Sequence, residues 1–330
     1  FYGEPLHKQI ILWEGKQDST LDGALSSYNY ARDIALNNIF SYEIYDNDKI
    51  SMYYKHYKDD STYSIYKVAL NDQALINNLD KNNLLRFQFQ TAFRPALHKK
   101  IGLAYGYLYT LYHKQLEILE SEKISILEKD KGKIELEEKE NTDLKKNEED
   151  IKNIKIKLHD CKIFAELELL TSIYSFKIDK TLRAIMSKND SSIKANYVDM
   201  SYIDNIYTLA NLYVSIFEFE SGSEELLKKA IDWISIIENE MENLSKPNAG
   251  LKETFFLKAR CFYFYGGIYE SKGDNKNAKK FYETALNIYQ SILPSLPSNN
   301  DEKNPLYNQK KRVIENIKII KDSIEGLKSN

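Results

Sequence analysis

The chain has 330 residues, 42% of them hydrophobic, so it is long enough to bury a substantial core. Its 46 basic and 49 acidic side chains give a formal net charge of -3, which argues against the basic surface that nucleic-acid binding requires. No stretch approaches the roughly 20 consecutive apolar residues that cross a bilayer. Cys161 and Cys261 are expected to be buried free thiols because they lie in apolar helical surroundings, and a disulfide between them is the alternative.

Strand patterns are almost absent. Only 12 Gly and 6 Pro interrupt the chain, and no series of short alternating segments bounded by turns occurs. The sequence therefore predicts an all-α fold, built either as one elongated helical array or as two packed subdomains.

Residues 1–40 predict a first pair of helices. The first helix runs from Leu6 to Gly15, and the segment Asp18-Ser19-Thr20 follows it with candidate N-caps. Small and aromatic residues then recur at spacings of four, three and four, which places them on one face of a second helix. These residues are Ala24, Tyr28, Ala31 and Ala35.

Residues 41–94 predict an irregular insertion, because they mix Tyr, Asn, Asp and Lys without a sustained period. Residues 95–120 predict a second helical unit. In this unit Gly102 and Tyr105 belong to a first helix, and Lys114 and Ile118 belong to a second.

Residues 121–160 predict a charged insertion. They contain 12 acidic and 10 basic side chains with only scattered Ile and Leu, which is typical of a solvated helical projection or of a disordered polyampholyte. Their apolar residues do not hold a heptad, which counts against a coiled-coil partner site.

Regular helical periodicity returns at Cys161, and residues 161–330 predict a C-terminal helical array. An amphipathic helix runs from Cys161 through Ile185, and we expect it to pack against a helix pair that begins near Ile203. In that pair, residues 217–223 lengthen the first helix or the turn. The residues that match the pattern are Leu209, Ala210 and Tyr213 in the first helix and Ala230 and Ile234 in the second.

The last helix pair has the clearest pattern. Its first helix ends before Gly273, which can take a positive φ, and Asp274 is the expected N-cap of its second helix, whose periodicity ends at Pro294. Small residues recur where the two helices cross, and aromatic residues fill the space beside them. The spacing is Phe262-x3-Gly266-x2-Tyr269 followed by Ala278-x3-Tyr282-x2-Ala285.

This spacing resembles the tetratricopeptide (TPR) repeat. The resemblance implies an all-α fold in which antiparallel helix pairs stack as a divergent TPR-like solenoid, here with two irregular insertions. Such solenoids hold other proteins on their inner surface, which favours a binding function over catalysis.

Motifs of catalysis and cofactor binding are absent from the sequence. It has no glycine-rich phosphate loop, no His-Glu-x-x-His, no Cys-x-x-Cys and no Gly-x-Ser-x-Gly. The sequence therefore predicts no enzyme, no cofactor and no metal site. The five histidines share no ligand spacing and are expected at the surface or at helix edges: His7, His56, His98, His113 and His159.

A binding function would use first-helix residues that lie off the packing face. Mixed aromatic and polar groups at these positions suit extended peptides or exposed apolar segments. The alternative is that several are core residues or exposed filler. The candidates are Lys99 and Tyr107 in residues 95–120, Tyr207 and Asn211 in the pair near Ile203, and Arg260 and Tyr263 in the last pair.

The order of elements resembles the soluble domain of the fungal adaptor subunit of the mitochondrial i-AAA protease supercomplex, a divergent TPR protein of the inner membrane. Four stretches carry the resemblance. They are Ile10-Ile11-Leu12-Trp13-Glu14 followed by Gly23-Ala24-Leu25-Ser26-Ser27-Tyr28; Lys100-Ile101-Gly102-Leu103-Ala104-Tyr105; Leu209-Ala210-Asn211-Leu212-Tyr213; and Tyr265-Gly266-Gly267-Ile268-Tyr269 with Ala278-Lys279-Lys280-Phe281.

This resemblance implies a non-catalytic, membrane-anchored adaptor that presents unfolded or misfolded proteins to an ATP-dependent protease. Its partners would be AAA protease subunits and unfolded client polypeptides, and its location the mitochondrial inner membrane. The anchor would lie upstream of the repeats. Since the chain begins at Phe1 and not at Met, we expect a processed or truncated product.

Three other functions compete with the adaptor. A TPR cochaperone or protein-import receptor would need repeated Lys and Asn to clamp a chaperone tail, and only Lys99 and Asn211 occupy such positions. A structural TPR scaffold would have one fixed partner and no preference for unfolded chains. An enzyme would need convergent polar residues in a deep pocket.

Overall fold

The computed structural model describes residues 95–129, 138–187, 200–220, 223–242, 250–296 and 305–329, together with Leu6, Ile10, Ala24, Leu25, Ser27 and Tyr28. Nearly all of these residues are helical and none of them lies in a β-strand. The predicted all-α class is therefore confirmed for the described part of the chain. The insertion predicted at residues 41–94 lies outside it, as does most of the helix pair predicted for residues 1–40.

The chain divides into two compact units, Phe1–Tyr197 and Val198–Asn330, called here the first and second units. Seven α-helices lie within the described ranges. They are α1 (Pro95–Lys129) and α2 (Glu138–Met186) in the first unit, and α3 (Met200–Glu220), α4 (Glu224–Glu242), α5 (Gly250–Ser271), α6 (Asn275–Ile292) and α7 (Pro305–Ser329) in the second, where a 3-10 turn, Leu293–Ser295, follows α6.

The helices α1 and α2 form an antiparallel hairpin. Ser172 of α2 donates a hydrogen bond to the Pro95 carbonyl at the start of α1. Lys123, near the end of α1, forms an ion pair with Glu148 of α2. The helices approach closely at Gly102, where an added Cβ would lie 2.7 Å from Cγ of Leu169. A continuous buried stripe runs between them, formed by Ile101, Ala104, Leu108, Leu111, Ile154, Leu158, Ala165 and Leu169.

This hairpin differs from the sequence prediction in three ways. Residues 95–120 do not form a helix pair, because α1 continues unbroken through Lys114 and Ile118. Residues 121–129 and 138–160 are helical, which is one of the two predicted forms, but they continue α1 and α2 and are not a separate insertion, because Ile154 and Leu158 extend the buried stripe of α2 into the charged segment. Residues from Cys161 to Met186 are the C-terminal part of α2, which packs on α1, and they belong to the first unit and not to a C-terminal array.

The second unit is a series of helices in which each packs on the next, and α3 also contacts α5. The predicted lengthening of the first helix near Ile203 is confirmed, since α3 extends to Glu220. Lys258 of α5 lies 2.7 and 2.8 Å from the two carboxylate oxygens of Glu238 on α4. A partly buried ion pair therefore links α4 and α5.

The turn between α5 and α6 is the one that the sequence predicts. Gly273 has a φ of 75°, and its N–H donates to the Glu270 carbonyl while Asp274 N–H donates to Tyr269, both at 2.9 Å. These two bonds are those of a Schellman C-cap. Asp274 also caps α6, because its carboxylate accepts a hydrogen bond from Asn277 N–H at 3.1 Å.

The terminal helix α7 covers the side of α6 that α5 leaves open. Its apolar residues recur at spacings of four, three, four and three, which places them on one face. The first, third and fifth of them are buried in one core with Tyr282 and Tyr289 of α6, and the second and fourth are partly buried against that core. The five are Val313, Ile317, Ile320, Ile324 and Leu327.

Two further predictions are tested by the described residues. Cys161 and Cys261 are both buried free thiols, as expected. The prediction that His98 lies at the surface is wrong, because His98 is 0% exposed and its Nδ1 lies 2.6 Å from a carboxylate oxygen of buried Glu168.

None of the described helices combines the length and the apolar content needed to cross a membrane.

Candidate functional site

The second unit contains a pocket of about 180 Å³ that is lined by four of its helices. The helices α5 and α7 contribute three residues each, and α3 and α6 contribute one each. The residues are Glu218 from α3, Arg260, Tyr263 and Phe264 from α5, Tyr289 from α6, and Asn316, Ile319 and Ile320 from α7.

The pocket arises from the order of the helices. Because α4 returns the chain between them, α3 and α5 run in the same direction, and the rings of Phe217 and Phe264 lie 5.1 Å apart where the two helices meet. The helix α7 is antiparallel to α6, which is consistent with the hydrogen bond from Asn316 Nδ2 to the Tyr289 hydroxyl at 3.1 Å. The pocket therefore opens where α3 and α7 flank α5.

An ion pair is the main polar feature of the lining. Arg260 Nη2 donates a hydrogen bond to Glu218 Oε1, and the two side chains are 35% and 38% exposed. The other six lining residues carry no formal charge. The formal charge of the lining is therefore zero, although guanidinium donors remain at its surface.

The phenol of Tyr289 adds a neutral polar group. Burial raises its pKa to about 12, against the opposing effects of the Arg260 charge and of the hydrogen bond with Asn316. The phenol is therefore protonated at physiological pH. Because Asn316 already donates to its oxygen, the amide group of Asn316 is held in one orientation against α6.

The remaining lining is aromatic and aliphatic. The Tyr263 ring lies 5.9 Å from that of Phe264 and 5.5 Å from that of Tyr282, measured between centroids, so it is fixed by neighbours on both α5 and α6. Ile320 is buried, whereas Ile319 is 48% exposed at the rim. The pocket thus offers apolar surface that water covers in the free protein.

Two of the six predicted binding residues, Arg260 and Tyr263, come together in this pocket. Tyr207 and Asn211 are half-buried on α3 and do not line it. Burial, followed by the charge of Glu253, raises the pKa of Tyr207, and Arg260 opposes this shift. Tyr207 therefore lies within electrostatic range of the pocket.

The other two predicted residues, Lys99 and Tyr107, lie on α1 of the first unit. Both side chains are half-buried, and both take part in further contacts within the structure.

The remaining lining residues were not among the candidates that the sequence predicts. Glu218 could have been found, because it follows Asn211 by seven residues, which is two helical turns on the same face. The residues of α7 could not be assigned to the pocket, since the 4-3-4-3 spacing of its apolar stripe predicts the helix but not the neighbour that it covers.

The described residues contain no group of three or more His, Cys, Asp and Glu placed to hold a metal ion. Comparison with models of protein families, with curated proteins and with solved structures found no match. Function is therefore inferred from the chemistry of the pocket and from the resemblance in the sequence.

Proposed function

We propose that this protein is a non-catalytic adaptor that binds unfolded or misfolded polypeptides through the pocket of the second unit and brings them to an AAA protease of the mitochondrial inner membrane. The observation that carries the binding part is the pairing of Arg260 and Glu218 beside solvent-exposed apolar surface. The protease and the location come from the resemblance in the sequence.

The size of the pocket favours a polypeptide ligand. Pockets for small molecules and cofactors typically measure about 300–1,000 Å³ and enclose most of the ligand, whereas this pocket measures about 180 Å³. Rigid aromatic side chains such as Tyr263 and Phe264 contribute binding energy at low entropic cost, as at other protein interfaces. A pocket of this kind suits part of a chain that continues beyond it.

The binding part is tested with one protein in two states. Fluorescence anisotropy would follow a labelled globular protein that is kept unfolded by reduction and alkylation, and the same protein in its native form. Saturable binding of the unfolded form alone is expected. Equal binding of both forms, or binding of neither, would remove the proposal.

The protease part is tested by mass spectrometry of proteins that co-purify from gently solubilised mitochondria of the source organism. Stoichiometric recovery of an AAA protease is expected. Recovery of a chaperone would favour a cochaperone, and one fixed partner without unfolded chains would favour a structural scaffold.

A further inference from the structure

We infer that the pocket receives one uncharged apolar side chain from the interior of an extended polypeptide, and that it selects against a polypeptide C-terminal carboxylate. The inference rests on the proposed function, since it names the part of a client that the pocket recognises. It is carried by the volume of the pocket, by the neutralised Arg260 and by the orientation of Asn316.

The volume sets the number of side chains. An apolar cavity of about 150 Å³ is large enough for a benzene molecule, so a pocket of about 180 Å³ has room for one leucine or phenylalanine side chain. A second side chain of that size would not fit. Neighbouring residues of the ligand must therefore lie outside, along the rim.

The charge of the lining sets the class of ligand. A carboxylate would be attracted by Arg260, but it would also approach Glu218, which already accepts a hydrogen bond from that guanidinium. Bringing a second carboxylate to the same Arg adds like-charge repulsion and a desolvation cost. A neutral peptide group avoids both costs, because its carbonyl oxygen can accept one of the remaining guanidinium N–H groups.

Asn316 supplies the complementary acceptor. Its Nδ2 donates to Tyr289 at 3.1 Å, which leaves Oδ1 of the same carboxamide to accept a hydrogen bond from a peptide N–H. The rim therefore presents one donor, on Arg260, and one acceptor, on Asn316. That pairing matches the carbonyl and the amide of an extended backbone.

The exposed apolar rim supplies the driving force. Ile319 is 48% exposed in the free protein and borders Ile320, which is 1% exposed. A leucine side chain that enters the pocket would bury its own surface and that of Ile319, and burial of apolar surface is the main source of affinity. A serine at the same position of the ligand would bury almost no apolar surface of its own.

The experiment uses the whole chain and three labelled peptides of one polar host sequence. The first has a central leucine and amidated ends, the second has serine in place of that leucine, and the third ends in leucine with a free carboxylate. We expect the first peptide to bind about tenfold or more tightly than the second. Tighter binding of the third peptide than of the first would overturn the inference.

Two isoleucines of α7 provide a matched pair of variants. Ile319→Ser should weaken binding of the first peptide about fivefold or more, because Ile319 lines the pocket. Ile314→Ser should leave it unchanged, because Ile314 is 50% exposed on the same helix and lies outside the lining. Equal affinities of the two variants, at equal thermal stability, would contradict the inference.

A third variant reverses the selectivity. Glu218→Gln would leave Arg260 without its counter-charge, so the pocket would carry one positive charge. We expect this variant to prefer the free-carboxylate peptide over the amidated one. An unchanged preference would show that charge does not select the ligand and would overturn that part of the inference.

The outcomes separate the two proposals. If unfolded clients bind the chain but neither Ile319→Ser nor the choice of peptide alters affinity, the pocket inference fails and the adaptor function stands. If unfolded clients do not bind at all, both fail.

Discussion

The ring of Tyr282 on α6 occupies the space that the missing side chain of Gly266 leaves on α5. A Cβ added at Gly266 would overlap Cγ, Cδ1 and Cε1 of that ring. The Tyr282 hydroxyl in turn donates a hydrogen bond at 2.6 Å to Glu270 on α5. This contact fixes the crossing of α5 and α6, and through it the position of the pocket residues on both helices.

Gly266→Ala should therefore destabilise the second unit by about 1–3 kcal/mol, because the new methyl group forces the Tyr282 ring or the helices apart. Gly267→Ala is the matched control. A Cβ there meets only the Tyr282 hydroxyl, at an ordinary distance of 3.8 Å, and alanine favours a helix over glycine by about 1 kcal/mol. Urea unfolding measures both, and equal free energies of unfolding for the two variants would contradict the packing account.

Gly273→Ala tests the turn between α5 and α6. Gly273 has a φ of 75°, and an L-residue in this region costs about 1–2 kcal/mol. Gly326→Ala on α7 should instead stabilise the protein by up to about 1 kcal/mol, since nothing lies within 4 Å of its added Cβ. Opposite shifts in the urea midpoint are expected, and a stabilising Gly273→Ala would show that the left-handed turn is not maintained in solution.

His98 and Glu168 form a buried pair between α1 and α2, with side chains 0% and 4% exposed. His98→Ala should cost about 3–5 kcal/mol, because it removes a partner from a buried carboxylate and leaves a cavity. Replacing both residues with apolar ones, His98→Phe with Glu168→Leu, should recover much of the loss. Thermal unfolding would compare the stability of the single and double variants. A double variant less stable than His98→Ala would contradict this account.

Alkaline pH should destabilise the second unit. Burial raises the pKa of Tyr289 to about 12 and that of Tyr265 to about 12, from the ordinary tyrosine value of 10.0. The folded state thus binds these protons more tightly than the unfolded state. Their stabilising effect is complete below pH 10 and is lost as pH rises from about 10 towards 12.

Tyr289→Phe should reduce this alkaline loss, because one of the tyrosines with a raised pKa no longer titrates. Free energies of unfolding between pH 8 and 11.5 would show a shallower decline in the variant, from a neutral-pH value lowered by about 1 kcal/mol for the lost Asn316 hydrogen bond. An identical decline in both proteins would rule out Tyr289 as a source of the pH dependence.

Local patterns predicted the local structure well. The φ of Gly273, the cap at Asp274 and the close approach at Gly266 all follow from residues within a few turns of each other. The extent of α1 and α2 did not, because the charged residues 121–160 contain too few apolar side chains to distinguish a packed helix from a solvated helix or a disordered chain. Ile154 and Leu158 become buried only because α1 lies beside them.

Only the part of the pocket that lies on a single helix could be predicted from the sequence. Arg260 and Tyr263 follow from their offset to the packing face of a single helix. Asn316 and Ile319 enter the pocket through the docking of α7 on α6, which depends on contacts between residues distant in sequence.

The most direct test of polypeptide binding by this pocket is photo-cross-linking from its rim. Benzoylphenylalanine would be placed at position 319 in one protein and at position 314 in another, and each would be irradiated with the unfolded client and with its native form. We predict a cross-link from position 319 to the unfolded client alone and none from position 314. Equal cross-linking from both positions, or none from position 319 while the client remains bound, would contradict the account.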